Sequence, residues 1–196
     1  MKFVLATQNP KKLKEMSAIL SDLGVEVVSE ADLGVKIEVE ETGETFAENS
    51  LLKAKAVMEA TKLPAIADDS GLCVNALNGG PGVYSARYAG EGHDDAANNA
   101  KLLDALKDVP GEKRTAQFRT SVALIRRGMP AVTADGSVEG VILHSPQGEN
   151  GFGYDPLFYY EPLKKSFAQL TPEEKNSVSH RRRALESLCD KLRAEK

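Results

Sequence analysis

The order of apolar and polar residues predicts alternating strands and helices over the first third of the chain. Residues 2–6 form a short apolar stretch that predicts the first strand. A helix follows and ends at Gly24, and residues 25–28 then alternate as a strand does. The apolar positions of that first helix recur with the helical period: Leu13, Met16, Ile19, Leu20 and Leu23.

A second helix has a clear start at Thr45, because Glu48 three residues later completes a capping box. This helix runs towards Pro64. The next apolar stretch predicts a strand that stops at Asp68 and Asp69 and then turns through a glycine. A third helix is expected over roughly residues 95–106.

The rest of the chain predicts a hairpin and a final helix. Residues 115–125 and 131–143 are rich in β-branched residues and are separated by a Gly-Met-Pro turn. The final helix begins at Thr171, and its apolar stripe continues to Leu192. Crossover helices together with a hairpin predict an α/β fold with a mixed sheet. Without repeats or linkers, residues 1–196 are expected to form a single domain.

Composition narrows the class of protein. The hydrophobic content of 41% and charged content of 28% are those of an ordinary globular protein. A net charge of −4 argues against a broad nucleic-acid surface, and no apolar run approaches the ~20 residues of a membrane span. Cys73 and Cys189 lie far apart and have no metal-ligand spacing, which favours a reducing cytoplasm. The three histidines form no local metal motif either, so any metal is expected to be bound by oxygen.

The sequence Asp68-Asp69-Ser70 is the most informative chemical feature. Neighbouring carboxylates repel, so that a hard cation or a raised pKa is the expected relief. One carboxylate of the pair is also suited to deprotonate a water molecule. Asp, Ser and Gly are equally typical of a solvated turn, and the motif alone does not decide between these interpretations.

Two further segments suggest phosphate and metal binding. Residues 7–12 lie at a strand-to-helix junction, where backbone N–H groups and the helix dipole attract anions. Residues 38–43 are acidic and precede the helix that carries Asn49 and Lys53 on one face. The carboxylates would supply magnesium ligands while Lys53 neutralises a phosphate. Each segment taken alone is more typical of an ordinary capped helix with solvated charges.

A fourth cluster combines residues 151–156 with the charged start of the final helix. The glycines around Phe152 allow a flat ligand to approach the backbone, and the ring can stack on a base. An Asp and the His180-Arg181 pair can read the edge of that base. The alternative is a hydrophobic turn and a solvated helix face, which is the preferred interpretation for Arg182 and Arg183.

Six motifs occur in this order along the chain: Thr7-x-Asn9-x-x-Lys12, Glu40-Glu41-Thr42-Gly43-x-Thr45-Phe46-x-Glu48-Asn49, Ala67-Asp68-Asp69-Ser70-Gly71-Leu72, Tyr84-Ser85-Ala86-Arg87-Tyr88, Gly151-Phe152-Gly153-Tyr154-Asp155-Pro156 and Ser179-His180-Arg181. Together they closely resemble the motifs of the inosine/xanthosine triphosphate pyrophosphatase family, the house-cleaning enzymes that hydrolyse deaminated purine nucleotides. The resemblance covers residues 4 to about 185, and six motifs in register are highly specific where each alone is weak. Gln8 departs from the pattern, since many relatives have glycine there.

The resemblance implies a long twisted mixed sheet flanked by helices, with two lobes around a central active-site cleft, and a homodimer. It implies hydrolysis of ITP, dITP and XTP to the nucleoside monophosphate and pyrophosphate, with Mg²⁺ as cofactor and Mn²⁺ as an alternative. Asp69 is the implied general base. The implied metal ligands are Glu40, Glu41, Asp68 and Asp69. The implied substrate-binding residues are Thr7, Gln8, Asn9, Pro10, Lys11, Lys12, Lys53, Ser70, Phe152, Gly153, Tyr154, Asp155, Lys175, His180 and Arg181.

Three other functions compete with this one. A nucleotide sensor needs both pockets but no surplus of carboxylates, so the acidic residues favour an enzyme. A pocket for a modified pyrimidine triphosphate is disfavoured by the Ser-His-Arg and Phe-Gly-Tyr-Asp elements, through the resemblance alone. Nucleic-acid binding is the weakest of the three because the chain is acidic.

Overall fold

In a computed structural model, residues 2–195 form seven strands and five α-helices joined by loops and short 3₁₀ turns. The predicted capping box of the second helix is present, with Thr45 and Glu48 each bonding the other's backbone N–H. The elements are β1 (Phe3–Leu5), α1 (Pro10–Asp22), β2 (Val27–Ser29), α2 (Phe46–Thr61), β3 (Ala65–Val74), α3 (Asp95–Ala105), β4 (Thr115–Ile125), β5 (Val132–Ile142), β6 (Phe158–Tyr160), β7 (Lys165–Ser166), α4 (Pro172–Val178) and α5 (His180–Ala194).

The strands form one mixed sheet in the order β2-β1-β3-β4-β5-β6-β7. β1 pairs in parallel with β2 and with β3, whereas β6 pairs antiparallel with β5 and with β7. β4 and β5 are neighbours in the sheet, as the hairpin prediction requires. The predicted α/β class with a mixed sheet is therefore confirmed.

The prediction that a strand stops at Asp68 and Asp69 is wrong. β3 continues through both aspartates to Val74 and lies between β1 and β4, so the pair is neither in a turn nor on a sheet edge. Leu72 and Val74 are completely buried in a hydrophobic cluster. The burial of these two apolar residues outweighs the turn tendency of Asp, Ser and Gly.

The predicted final helix is two helices. Thr171 caps α4 with the expected capping box, but α4 ends at Val178. Ser179 is extended, with φ −67° and ψ 157°, and α5 begins at His180. Neither Gly nor Pro marks this break, and Ser179 itself is fully buried.

The chain divides into two compact units. Unit 1 contains the residues up to Asp69, Thr120–Gly136 and the chain from His180, and unit 2 contains Ser70–Arg119 and Ser137–Ser179. The prediction of one domain with a central cleft stays a prediction.

Unit 1 has a hydrophobic cluster on each face of its strands. Leu5 and Ile66 belong to the cluster that includes the apolar residues of α1 and α5. Val4 and Ala65 belong to the cluster that includes Ala54 and Val57 of α2. Successive residues of one strand thus face different helices, as the pleat requires.

Unit 2 has an aromatic core. Phe118 and Phe158 have ring centroids 4.4 Å apart, and Phe158 meets Phe167 edge to face at 4.9 Å. Leu102 of α3 is buried in the same cluster, which fixes the face that α3 presents to the core. None of the helices within residues 2–195 is both long and apolar enough to cross a membrane.

The backbone of β5 makes a close approach to the first turn of α5 at Gly136. A Cβ atom added there would overlap the carbonyl oxygen of His180 and lie 2.6 Å from the backbone nitrogen of Ala184. We expect Gly136→Ala to lower the free energy of unfolding by about 1–3 kcal/mol, because the neighbouring helix backbone must shift. Urea denaturation measures this change. Gly92→Ala is the matched control, since nothing lies within 4 Å of its added Cβ atom, and equal effects at both positions would contradict the prediction.

Candidate active site

The pleat of β3 sends its two aspartates to opposite faces of the sheet. Asp68 follows Ile66 by two residues and therefore lies on the face of α1 and α5. Asp69 follows Ala67 by two residues and lies on the face of α2. Both side chains are buried, with 1% and 5% of the residue surface exposed. The two carboxylates therefore have different hydrogen-bonding partners, although their charges still act on each other's lysines.

Asp68 lies in a buried network of charges in unit 1. Its carboxylate accepts from Lys12 Nζ at 3.2 and 3.4 Å and from Arg181 Nε at 3.1 Å. The guanidinium of Arg181 also contacts the carboxylate of Glu15, at 3.3 Å. Burial lowers the pKa of Lys12, although the Asp68 charge acts in the opposite direction. The network joins β3 to the helices α1 and α5.

Asp69 has a different set of partners, from α2 and the loop before it. Asn49 Nδ2 donates to one carboxylate oxygen at 3.0 Å, and Lys53 Nζ lies 3.6 Å from the other. Lys53 also binds Glu41, at 2.6 Å. The carbonyl oxygen of the Asn49 side chain accepts from the backbone of Gly43 at 2.8 Å. Asn49 therefore attaches the loop that carries Glu41 to the helix that faces Asp69.

The pKa of Asp69 is raised, and burial is the largest cause. The nearby cations Lys53 and Lys12 act against this shift, while Glu41 adds to it. Burial alone would lower the pKa of Lys53, but the charges of Asp69, Asp68 and Glu41 together raise it. Asp69 is thus a carboxylate with raised proton affinity, held beside an ammonium that stays charged.

The four predicted metal ligands do not form one cluster. Asp68 faces Lys12 and Arg181, and Glu40 is exposed. Glu41 and Asp69 are brought together at the Lys53 ammonium. Within residues 2–195 no group of three or more His, Cys, Asp or Glu side chains is placed to hold a metal ion. A metal at this position would need ligands from the substrate or water in addition to two carboxylates.

The segment from Thr7 to Lys12 caps α1 more completely than the anion-binding prediction assumed. Asn9 Oδ1 accepts from the backbone N–H groups of Lys11 and Lys12, and Thr7 Oγ1 accepts from the N–H of Asn9. Pro10 is the first residue of α1 and has no N–H to offer. The early amides of α1 therefore already have partners. The exposed Gln8 donates to the carbonyl of Ile37 at 2.8 Å and ties this segment to the loop after β2.

In unit 2, one turn, Gly151–Asp155, contains part of the predicted base-binding set, and Lys175 of α4 contacts it. The predicted base-reading residues His180 and Arg181 belong to unit 1. Lys175 Nζ donates to Asp155 Oδ2 at 2.7 Å and lies 4.5 Å from the centroid of the Phe152 ring. The N–H of Phe152 donates to the same carboxylate oxygen at 2.9 Å. Gly151 has φ +76°, and a Cβ atom there would overlap the Asp155 carboxylate. A buried Asp–Lys pair thus sets the position of a half-buried aromatic ring.

The other predicted residues take varied positions. The Tyr154 hydroxyl is buried and donates to the carbonyl of Ser85 at 2.7 Å, and burial raises the pKa of this phenol. Ser70 is half-buried and follows Asp69 in β3. His180 is buried at the start of α5. Lys11 is exposed on the first turn of α1.

Several residues of these centres were absent from the predicted set. Their shared feature is a hydrogen bond or ion pair to a predicted residue, which Ser85 makes through its backbone carbonyl. Signals existed for Asn49, which shares a helix face with Lys53, and for Ser85, which stands in one of the family motifs. The other three gave none, because their partners are distant in sequence. They are Glu15, Asn49, Ser85, Asp95 and Asn99.

We expect Lys53→Met to raise the pKa of Asp69 further, because it removes a cation that favours the charged carboxylate. NMR titration of the Asp69 carboxyl carbon measures the midpoint, which moves to higher pH in the variant. Lys55→Met is the control, since Lys55 is on the same helix and its nearest acidic partner is Glu59 at 4.0 Å. An unchanged Asp69 midpoint in Lys53→Met would contradict the assigned contact.

Comparison with known proteins identifies the family of this chain. The sequence profile of the Ham1 family matches residues 3–191. The dITP/XTP pyrophosphatase of Desulforamulus reducens is 53% identical over 98% of this chain and 96% of its own length. That of Bacillus subtilis is 50% identical over 97% of this chain and 96% of its own length.

Solved structures agree with the sequence match. The Ham1 protein of Staphylococcus aureus aligns with a TM-score of 0.87 and 44% identity over the whole of both chains. The nucleoside-triphosphatase / dITP/XTP pyrophosphatase of Mycobacterium abscessus aligns with a TM-score of 0.76 and 49% identity, over 96% of this chain and 98% of its own. Sequence and fold agree over almost the full length, and the chain belongs to the Ham1 family.

Proposed function

We propose that this protein hydrolyses the deaminated purine nucleotides ITP, dITP and XTP to the nucleoside monophosphate and pyrophosphate, which removes them from the nucleotide pool before they enter DNA or RNA. Relatives about half identical over nearly their full length carry the name dITP/XTP pyrophosphatase. The observation that carries the chemistry is the buried Asp69, held between Asn49 and Lys53 with a raised pKa.

Asp69 is the proposed general base. A water oxygen forms the new bond to phosphorus, its proton passes to the Asp69 carboxylate, and the bond to the departing pyrophosphate breaks. A raised pKa makes the carboxylate a better proton acceptor at neutral pH than an ordinary Asp. Asn49 donates to one carboxylate oxygen of Asp69, and Lys53 lies beside the other oxygen. The two contacts together orient the carboxylate.

The cations of unit 1 suit a polyphosphate substrate. Lys53 and Lys12 are half-buried cations, each of which pairs with an aspartate of β3. Because the helix dipole of α1 also favours negative charge at its start, Thr7–Lys12 remains our proposed phosphate-binding segment. Its first amides are occupied by Asn9, so the contribution of this segment rests on side chains and on the dipole.

Glu41 and Asp69 fit a magnesium ion. Two carboxylates already share one cation, Lys53 Nζ, at 2.6 and 3.6 Å. Proteins commonly hold Mg²⁺ by one or two carboxylates together with substrate phosphates and water. When bound, the ion would neutralise charge on the phosphates. We propose these two residues as the ligands, with Mn²⁺ as an alternative metal. Asp68 and the exposed Glu40 are weaker candidates, because Asp68 is committed to Lys12 and Arg181.

The Gly151–Asp155 turn of unit 2 is the proposed base platform. The Phe152 ring offers a stacking face, and Lys175 and Asp155 fix its position. By the resemblance, His180 and Arg181 read the 6-oxo group of the base as hydrogen-bond donors. Such a donor set is mismatched with the amino group of adenine, and mismatches of this kind give discrimination of up to about 10⁴-fold. Homodimer formation also remains a proposal, which light scattering after size-exclusion chromatography tests.

We expect pyrophosphate release from ITP, dITP and XTP in the presence of Mg²⁺, with much slower reaction of ATP and GTP and none in excess EDTA. Coupled detection of pyrophosphate against orthophosphate measures the product directly. Orthophosphate as the first product would overturn the proposed chemistry. Equal rates on ATP and ITP would overturn the proposed base selectivity. Binding of ITP without turnover would instead indicate a sensor.

We expect Asp69→Asn to abolish turnover while nucleotide binding is largely kept, because an amide of the same shape has no basic oxygen to accept the proton. Single-turnover kinetics and calorimetric titration with dITP separate the two effects. Asp104→Asn is the control, since Asp104 is an exposed residue of α3 paired only at the surface with Lys107. Near-normal activity of Asp69→Asn would exclude it as the base.

A further inference from the structure

Two side chains of α3 hold both backbone polar groups of a single residue in unit 2. The N–H of Gly153 donates to Asp95 Oδ2 at 2.8 Å, and Asn99 Nδ2 donates to the carbonyl of Gly153 at 2.9 Å. Asp95 and Asn99 are four residues apart and therefore lie one above the other on the same helix face. Helix α3 thus holds the peptide that directly follows Phe152. These two hydrogen bonds to Gly153 are called the grip below.

Gly153 itself restrains the backbone little. Gly153 has φ +62° with open space around the position of a Cβ atom, and Gly151 has φ +76°. Glycine adopts such conformations freely, and the same freedom leaves the chain less restrained. Asp155 closes the turn from inside by accepting from the N–H of Phe152. Asp95 and Asn99 add the attachment from outside, to a helix that is anchored in the core by Leu102.

Asn99 makes this attachment at an energetic cost. Its side-chain carbonyl oxygen is buried and has no hydrogen-bond partner among the described residues. A buried acceptor without a partner destabilises the folded state, and this offsets the hydrogen bond that the amide nitrogen makes. What Asn99 does provide is a fixed position of the Gly153 carbonyl.

We propose that Asp95 and Asn99 are positioning residues that sharpen the nucleobase selectivity of this protein, because they fix the Phe152 ring through Gly153 and so hold the stacked base in line with the groups that read its edge. The inference rests on the proposed function for its substrate but not for its geometry. Neither residue touches a reacting atom. Loss of the grip loosens the platform on which the base stacks, so binding and base discrimination weaken while the chemistry at Asp69 is unaffected.

The kinetic test compares Asn99→Ala with wild type on dITP and dATP. We expect KM for dITP to rise and the preference for dITP over dATP to fall by about three- to tenfold, as for one lost hydrogen bond, with kcat near wild type. The thermal midpoint should stay within about 3 °C, because the lost bond and the relieved acceptor nearly cancel. Unchanged KM and preference would overturn the proposal.

A second pair of variants keeps the test informative if Asn99→Ala loses stability. Asp95→Ala removes the acceptor of the Gly153 N–H, whereas Asp95→Asn retains a side-chain oxygen there. We expect the alanine variant to reproduce the loss of preference and the asparagine variant to restore most of it. Equal loss in both would assign the effect to helix stability and overturn the positioning role. Asp104→Ala on the same helix is the control and should behave as wild type.

Hydrogen exchange separates this inference from the proposed function. In the protein without nucleotide, we expect amides of residues 151–155 to exchange about tenfold faster in Asn99→Ala than in wild type or Asp104→Ala. This readout needs no substrate. If wild type does not hydrolyse dITP but the exchange difference is present, the proposed function fails and the grip stands. If exchange is unchanged, the grip itself is wrong.

Discussion

The continuity of β3 through two adjacent aspartates is the constraint on which the site depends. A pleated strand cannot place neighbouring side chains on one face, so Asp68 and Asp69 face different helices. Asp68 becomes the centre of a charge network that joins β3 to α1 and α5. Asp69 becomes a buried carboxylate beside Asn49 and Lys53. Two identical neighbouring residues thus have different surroundings, and we propose a catalytic role only for Asp69.

The two centres differ in how completely their charges are compensated. Asp68 has two cationic partners at hydrogen-bond distance, and removal of one partner from such a buried network typically costs about 3–5 kcal/mol. Asp69 has a neutral amide donor and a more distant ammonium that it shares with Glu41. Its pKa is raised because burial exceeds that partial compensation. A raised pKa suits the proposed role of this carboxylate as a proton acceptor.

Local signals in the sequence were accurate where the cause was local. The capping boxes at Thr45 and Thr171 are present, and the hairpin strands lie next to each other. The two errors, the early stop of β3 and the unbroken final helix, both occur where buried contacts override turn or helix tendencies. Ser179 shows this most clearly, because its extended backbone interrupts the helix although the sequence has no Gly or Pro there.

The sequence by itself determined the α/β class, the positions of most elements and the residue types available for chemistry, since these follow from periodicity, caps and motifs. Only the tertiary structure decided which of those residues act together. It separated Asp68 from Asp69, selected Glu41 over Glu40 as the neighbour of Lys53, and brought Asp95 and Asn99 to Gly153. The physical reason is that pairing among residues distant in sequence depends on which faces of strands and helices are packed together, and no local pattern records that choice.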